Sequence, residues 1–478
     1  MKFRNLQMVT VTIFVAGCMN PPRYDPPKPE MPAEWRVEAP FRVAEPKDDE
    51  PKGAWWERFG DPTLNQLAAR ALEGSPTLAA SAGRLAQARA TFTSVSGQQW
   101  PQVAALARGG RTRITQNRPL NNYSAPNFST VQTDLVFAAQ ASYEVDFAGR
   151  VSSLVASAKA SAEQAASDLE TARLLLVADL ATAYYNLRQT DIELDVLTSS
   201  IELQRRSLGL AQTRNELGAG SALDVAQQQA LIDTTLTQVD ILRRQRALFE
   251  HAIATLTGTP APSFSLPPEK RELRPPDVPI GVPSDVLERR PDVASAERAM
   301  AIANAQVGVA NAAFYPSINL GLTYGQESRH SSTLLDVPSL VWSAGVSLTQ
   351  PLFDGGRIKG NYAAARAGYD VAVANYRRVV LTAMQEAEDG IIGLAALERA
   401  SAQADIAVES ARRTLELVIA RYEGGVASPL EVIVAQQQLL NAERLASQLV
   451  GQRLLTSVFL VRALGGGWDA PQKVSARD

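Results

Sequence analysis

Cysteine and histidine are almost absent from this sequence of 478 residues. The one cysteine, Cys18, cannot form a disulfide within the chain, and a cysteine-rich zinc site is excluded. The two histidines, His251 and His330, leave little for a histidine metal cluster, and neither has a nucleophile or an acid at a recognisable catalytic spacing. The sequence therefore predicts no metal site, no cofactor, no catalytic residue and no enzyme activity.

Strong charge and long apolar runs are also missing. A net charge of −3 offers no basic surface for nucleic acid. Beyond the N-terminus no segment has about 18 uninterrupted apolar residues, so transmembrane helices are not expected, although this does not exclude a β-barrel. Aromatic residues make up only 6%, while alanine, glutamine and leucine dominate long stretches, which is typical of long helices. No Walker motif is present, so any process that needs energy would have to draw it from a partner.

The first residues have the pattern of an export signal, in which a basic start precedes a short apolar segment and small residues. The ending Val-Ala-Gly-Cys at 15–18 resembles the bacterial lipobox, so we expect cleavage of a signal peptide, 1–17, and attachment of lipid such as palmitate to Cys18. The alternative is a buried cysteine in an apolar start. Met19, in place of aspartate, indicates the outer membrane, and the proline-rich segment 18–53 would be an extended tether.

The rest of the chain contains an internal repeat. Segments ending at Arg150 and Arg357 match at an offset of 207 residues (357 − 150), and this register continues downstream without a gap. Upstream, the tripeptide at 99–101 matches 314–316 at an offset of 215 (314 − 99). We therefore predict two tandem copies of one unit, with a first copy at 54–258, a proline-rich connector at 259–283, a second copy at 284–465 and a C-terminal tail at 466–478.

Each copy contains two segments in which apolar and polar residues alternate. The alternation predicts strands at 102–114 and 131–146 in the first copy, and at 317–328 and 340–350 in the second. Apolar residues on one face and small polar residues on the other are typical of a transmembrane barrel, with lipid outside and water inside. The alternation alone fits a half-buried hairpin of a soluble sheet equally well.

Long stretches with little proline or glycine predict helices. Ser221 and Ser428 precede Asp224 and Glu431 by three residues, which is the spacing of a capping box, so a helix should begin after each serine. Glycine-containing breaks just before these serines predict two antiparallel helical hairpins. The alternative for these segments is a cytosolic coiled-coil rod, which the export signal and the embedded strands disfavour. The expected helices are 62–99, 149–215, 222–257, 356–422 and 429–464.

Four strands cannot close a membrane barrel, because bacterial barrels have about eight or more. An open edge in lipid would leave backbone groups unpaired at a cost of several kcal/mol each. If the strands span a membrane, chains must therefore pool them, and three copies would supply twelve. The predicted fold class is mainly α with membrane β structure, in which two tandem repeats form a trimeric 12-strand β-barrel and an α-helical barrel continuous with it.

Several segments together carry a resemblance to a known family. They read WWERFGDPTLNQLAARAL (55–72), LERRPDVASAERA (287–299), AFYPSINL (313–320), PLFDGGR (351–357) and LEVIVAQQQLLNAE (430–443). On these segments the chain resembles the TolC-like outer-membrane factors, specifically the NodT-type lipoprotein branch of efflux systems. The resemblance covers essentially the whole mature chain.

The resemblance implies a homotrimer in the outer membrane, anchored by lipid, with its helical part in the periplasm. Such a protein is the passive exit duct of a tripartite drug or xenobiotic efflux pump, opened by a periplasmic adaptor (membrane fusion) protein and an inner-membrane pump of the RND type. Two alternatives stay open on the sequence. One is the outer-membrane duct of a one-step protein secretion system, and the other is a helical spacer that transports nothing.

The same resemblance implies that the turns at 216–221 and 423–428 form a tip that docks the adaptor. Ordinary helix-turn-helix geometry is the alternative, since tight turns also favour glycine. The positions that match the docking pattern are Arg214, Leu217, Gly218, Gly220 and Ser221 in the first copy, and Gly424, Gly425, Val426 and Ser428 in the second.

The resemblance also implies a gate at the tip, with Asp224, Arg421, Tyr422 and Glu431 as candidates. Carboxylates around a narrow axis would favour cations. Val434 occupies the second acidic position of the family pattern and cannot serve. The alternative for the two acids is that they only stabilise the N-termini of their helices.

Overall fold

The structure is a computed structural model, and it describes residues 53–117, 130–269, 273, 276 and 289–466. The predicted signal peptide, Cys18 and all but the last residue of the tether lie outside the described residues, as do twelve of the 25 connector residues and all but the first residue of the C-terminal tail. Within the described ranges, no helix is both long enough and apolar enough to cross a membrane.

The strands form one antiparallel sheet. β1 (Gln102–Ile114), β2 (Thr130–Val145), β3 (Ser317–Ser328) and β4 (Leu340–Thr349) lie in the order β1-β2-β3-β4. These bounds agree with the predicted strands to within one residue. The two hairpins come from different copies, yet β2 pairs directly with β3, so one sheet joins the copies and β1 and β4 are its outer strands.

The two faces of the sheet differ in chemistry, as alternation predicts. Phe137 lies opposite Ala107, and Tyr324 lies opposite Trp342, so apolar side chains share one face. These large apolar side chains are exposed in the isolated chain, with Trp342 67% exposed. The other face holds polar groups, including an ion pair in which Arg108 Nη2 lies 2.7 Å from Asp134 Oδ2.

Helices make up most of the described residues. The predicted helix 62–99 is wrong in one respect, because it is divided in two at Ser75. Pro76 restricts the residue before it, and Ser75 is accordingly extended, with φ −71° and ψ 120°. The other predicted helices agree with the structure to within one residue at each end. The helices are α1 (Pro62–Gly74), α2 (Pro76–Ser96), α3 (Arg150–Glu216), α4 (Ala222–Leu256), α5 (Pro291–Ala312), α6 (Arg357–Glu423) and α7 (Pro429–Ala463).

The chain divides into two compact units that do not coincide with the two sequence copies. One unit holds the described residues of Gln87–Glu163 and Arg298–Ala374, which include the whole sheet. The other is helical and holds the described residues of Lys28–Ala86, Gln164–Glu297 and Asn375–Asp478. Each unit therefore takes residues from both copies, because the strands of both copies share one sheet.

The largest buried cluster lies in the helical unit, where α1 packs on α3, α4 and α7 through Leu64, Leu180, Ile253 and Leu454. Tyr184, also buried there, donates a 2.7 Å hydrogen bond to Asp61 Oδ2. Burial is the main cause of a raised pKa for the Tyr184 hydroxyl.

The start of the connector is bound to the helical unit by two arginines, the buried Arg188 and the half-buried Arg246, which the sequence did not predict. Arg188 donates to the carbonyl of Pro267 at 2.9 Å, and Arg246 donates to the carbonyl of Leu266 at 2.6 Å. Asp191 lies between the two guanidinium groups, 3.1 Å from Arg188 and 2.6 Å from Arg246. These bonds satisfy backbone groups that a proline-rich segment cannot pair in a helix or sheet.

Candidate functional site

Both long helical hairpins turn in the same way, and we call these turns the first tip (216–221) and the second tip (423–428). In the first, Gly218 has φ +73° and the amide of Ala219 donates to the carbonyl of Arg214 at 2.8 Å. In the second, Gly425 has φ +78° and the amide of Val426 donates to Arg421 at 2.9 Å. A left-handed glycine with a bond over five residues is the Schellman ending of a helix. The two copies of the repeat therefore have the same backbone geometry at their tips.

The following helices begin with capping boxes, as predicted. In the first tip, Ser221 accepts a hydrogen bond from the amide of Leu223 at 3.1 Å, and its own amide donates to Asp224 at 3.1 Å. In the second, the amide of Ser428 donates to Glu431 Oε1 at 2.9 Å. Both candidate acids therefore act as helix caps, which is the alternative that the sequence left open for them.

Hydrogen bonds from Ser428, first from its amide and then from its hydroxyl, lower the pKa of Glu431, with a smaller contribution from Arg421. The Glu431 side chain is 44% exposed, so water screens its charge. At neutral pH the second tip consequently carries an ionised carboxylate.

Arg214 joins the two tips. Its Nη2 donates to the carbonyl of Tyr422 at 2.7 Å and to that of Glu423 at 3.3 Å. Its guanidinium carbon also lies 4.2 Å from the centre of the Tyr422 ring, which is buried. A cation at the carbonyl end of a helix interacts favourably with the helix dipole and satisfies carbonyls that have no partner within the helix. One side chain from the first copy therefore caps α6 of the second.

Arg421 is the repeat counterpart of Arg214, but its contacts differ. It donates to the carbonyl of Val426 at 3.3 Å, within its own turn. It also lies 3.9 Å from Glu431 Oε2, so two of the gate candidates form an exposed ion pair. Asp224, the remaining acid, hydrogen-bonds within its own capping box. The four gate candidates are thus split among three contacts.

The docking candidates combine exposed apolar side chains with tight backbone. Leu217 and Val426 project from the two tips, 77% and 69% exposed. Gly220 has little room for a side chain, because an added Cβ would lie 3.1 Å from the amide nitrogen of Asn215. At Gly424 an added Cβ would make only an ordinary contact with Ala420, so this glycine is not required for space.

A buried glutamine cluster near the tips escaped the sequence analysis. Gln228 on α4 donates to Gln436 on α7 at 3.2 Å, and Gln436 donates to Ser207 on α3 at 2.8 Å. Gln204 is fully buried beside them, and its carbonyl accepts a 3.3 Å bond from Gln228. The glutamine runs of α4 and α7 were visible in the sequence, but nothing in the sequence shows which glutamines point inward.

Among the described residues, no group of three or more histidine, cysteine, aspartate or glutamate side chains could hold a metal ion.

The comparisons with known proteins agree with these features. A family model described as outer membrane efflux protein matches residues 67–259 and 282–466. The chain is 29% identical to the pyoverdine export outer membrane protein OpmQ of Pseudomonas aeruginosa over 478 residues, which is 100% of both chains. It is 30% identical to the toluene efflux pump outer membrane protein TtgC of Pseudomonas putida, over 97% of this chain and 96% of that protein.

Comparison with solved structures indicates the same family. The outer-membrane channel OprN superposes with a TM-score of 0.83 at 28% identity, covering 90% of this chain and 99% of that one. The outer membrane protein VceC of Vibrio cholerae superposes with a TM-score of 0.80 at 25% identity, covering 87% and 99%. The family inferred from the sequence is therefore confirmed, and the chain belongs to the outer membrane efflux protein family.

Proposed function

We propose that this protein is the outer-membrane exit duct of a tripartite efflux pump for small molecules. The observation that carries the proposal is the match of the efflux family model to both copies of the repeat. Relatives of nearly the same length are named for export of pyoverdine and of toluene, which supports small molecules rather than proteins as cargo. The secretion duct thus has less support.

The sheet supports a membrane-spanning role through its two faces and its outer strands. Its apolar face, with Phe137, Tyr324 and Trp342 exposed, suits contact with lipid, and its opposite face suits water. β1 and β4 would leave unpaired backbone groups in a bilayer. Three copies would remove these edges by forming a barrel of twelve strands, with the long helices pooled into a periplasmic tube.

The anchor and the partners follow from the same assignment. Lipid on Cys18 would hold the N-terminus at the outer membrane, which adds affinity without a spanning segment. The two tips, with Leu217 and Val426 exposed, would dock the periplasmic adaptor. An inner-membrane pump of the RND type would supply the energy, and the duct would stay passive.

The gate would lie at the same tips. In the proposed closed state Arg214 caps α6, and Arg421 pairs with Glu431. Opening would separate these contacts in a collective movement of the tip helices, of the kind in which packed elements have two arrangements.

Deletion of the gene in its native host tests the assignment. We expect greater susceptibility to dyes and antibiotics, restored by the wild-type gene and restored less by Cys18→Ser. Susceptibility that is unchanged by deletion would remove the support for efflux. Reconstitution in planar bilayers separates a duct from a spacer, because only a duct conducts ions.

A further inference from the structure

The apolar face of the sheet carries charge at one end only. Six charged residues lie in the four strands, and four of them are on the opposite face, namely Arg108, Asp134, Glu144 and Glu327. The other two, Arg111 and Arg113, come four and six residues after Ala107 and therefore share the face of Phe137. Both are exposed. They lie at the end where β1 connects to β2 and β3 connects to β4, which we call the hairpin end.

These arginines lie directly beyond an apolar band that has the height of a membrane. On β2 the band runs from Val145 to Leu135, a separation of ten residues (145 − 135), and every second residue is apolar or aromatic. Ten residues extend about 34 Å along a strand, and a strand tilt of about 35–45° reduces this to a height of about 24–28 Å. The apolar band of bacterial barrels is about 25 Å tall. Beyond Leu135, the next pair on the same face is Thr133 with Arg111, so the charge begins where the band ends.

The chain connections give the direction of this band in the proposed duct. At the ends away from the hairpin end, β2 leads into α3 and β4 leads into α6. Because these long helices would lie in the periplasm, the hairpin end would face the outer leaflet. Arg111 would then be level with the lipid headgroups of that leaflet, and Arg113 would lie about 5 Å further out. An arginine costs far less free energy at this level than at the centre of the bilayer.

The strand residues beside the two arginines carry no negative charge. Their cross-strand partners on β2 are Thr133 and Val131. Asp134 lies on the other face, where it forms an ion pair with Arg108 at 2.7 Å. An arginine is always charged, and its planar set of donors matches the oxygens of a phosphate. The outward face thus combines an apolar surface that suits acyl chains with a cationic rim that suits phosphate.

The repeat shows that the strand itself does not require arginine at these positions. At the offset of 215, the counterparts of Arg111 and Arg113 are Gln326 and Ser328 on β3, which are uncharged (326 − 111 and 328 − 113). They lie on the same face, since Gln326 pairs with Phe137. The positive rim therefore belongs to the first copy alone, and the second copy supplies substitutions that suit the strand.

We infer that Arg111 and Arg113 bind the phosphate groups of a phosphorylated lipid of the outer leaflet. The acyl chains of this lipid lie along the apolar face, and its phosphates lie at the cationic rim. The inference rests on the proposed duct, which gives the sheet its direction in the membrane, and it adds a lipid partner at the outer end of the sheet.

Binding of a defined lipid tests the rim. The purified full-length protein in mild detergent is titrated with diphosphorylated lipid A, and native mass spectrometry measures the bound lipid. Arg111→Gln combined with Arg113→Ser, which introduces the residues of β3, should weaken binding by about tenfold, because charge-assisted hydrogen bonds to phosphate are lost. Arg111→Lys combined with Arg113→Lys keeps both charges and should recover most of the binding.

Two controls separate the rim from general attraction between the protein and the lipid. Arg108→Gln removes the same charge from the other face of β1 and should bind lipid A as the wild type does. Lipid A without its phosphates should bind the wild type no better than it binds the doubly substituted protein. If Arg108→Gln weakens binding as much as the double substitution does, or if the dephosphorylated lipid binds the wild type equally well, the inference is wrong.

Conductance of the same preparations in planar bilayers separates this inference from the proposed function. Channels that conduct, with lipid binding that does not depend on the two arginines, would overturn the lipid site and leave the duct. Lipid binding that depends on the arginines in a protein that conducts no ions would overturn the duct and leave the phosphate site. If neither conductance nor such binding is found, both proposals fail.

Discussion

At the end of the first helical hairpin, Arg214 crosses to the second hairpin and caps α6, whereas Arg421 at the equivalent place stays within its own turn. The backbone of the two tips is the same, with a left-handed glycine and a capping box in each. The difference comes from the next residue along the chain. Tyr422 follows Arg421 and offers a buried ring to Arg214, but Asn215 follows Arg214 and is exposed. The two copies thus have the same backbone at the tips but different side chains, and this difference allows a residue of the first copy to stabilise a helix of the second.

Removal of the Tyr422 ring should have the largest effect on the difference in stability between the two tips. We expect Tyr422→Ala to lower the local free energy of opening at the second tip by about 3 kcal/mol, because a buried aromatic side chain is lost. Hydrogen exchange of the amides at 415–426 in the purified protein measures this opening. The counterpart substitution, Asn215→Ala, should change exchange at the first tip by less than about 0.5 kcal/mol. If Tyr422→Ala changes hydrogen exchange no more than Asn215→Ala does, the buried ring does not stabilise the second tip.

The two arginines offer the next test. Arg214→Ala should destabilise the second tip by about 2 kcal/mol, since it removes charged hydrogen bonds to two carbonyls and a contact with the Tyr422 ring. Arg421→Ala removes only an exposed ion pair and one long hydrogen bond, and its effect should stay below about 1 kcal/mol.

Conductance in planar bilayers, together with hydrogen exchange, distinguishes these variants. If the link across the tips holds the duct closed, Arg214→Ala should raise conductance more than Arg421→Ala does. The idea that the link is specific to one copy fails if Arg421→Ala has the larger effect on either measurement.

Local structure was predictable because its causes are local. Alternation located the strands, and capping serines with glycine turns located the helix ends to within one residue. The break at Ser75 could also have been found, since Pro76 follows it directly. The contact between Arg214 and Tyr422 could not be predicted, because the two residues are 208 apart in the sequence. Their repeat counterparts, Arg421 and Asn215, make no such contact that could have indicated it. The hydrogen bonds from Arg188 and Arg246 to the connector could not be predicted for the same reason.

Lowering the pH should reveal a smaller difference between the two tips, because it should weaken only the second. The pKa of Glu431 is lowered by the Ser428 bonds, so its contribution to stability is fully present above the ordinary glutamate value of 4.5 and is lost as pH falls through the lowered folded value. We therefore expect hydrogen exchange at residues 428–434, corrected for the intrinsic effect of pH, to show loss of protection below pH 4.5. Glu431→Gln should reduce this dependence, while Asp224→Asn, in the other hairpin, should leave it in place. If Glu431→Gln leaves the acid response of these amides unchanged, the capping carboxylate is not its source, and the Arg421 ion pair has no measurable part in holding the second tip.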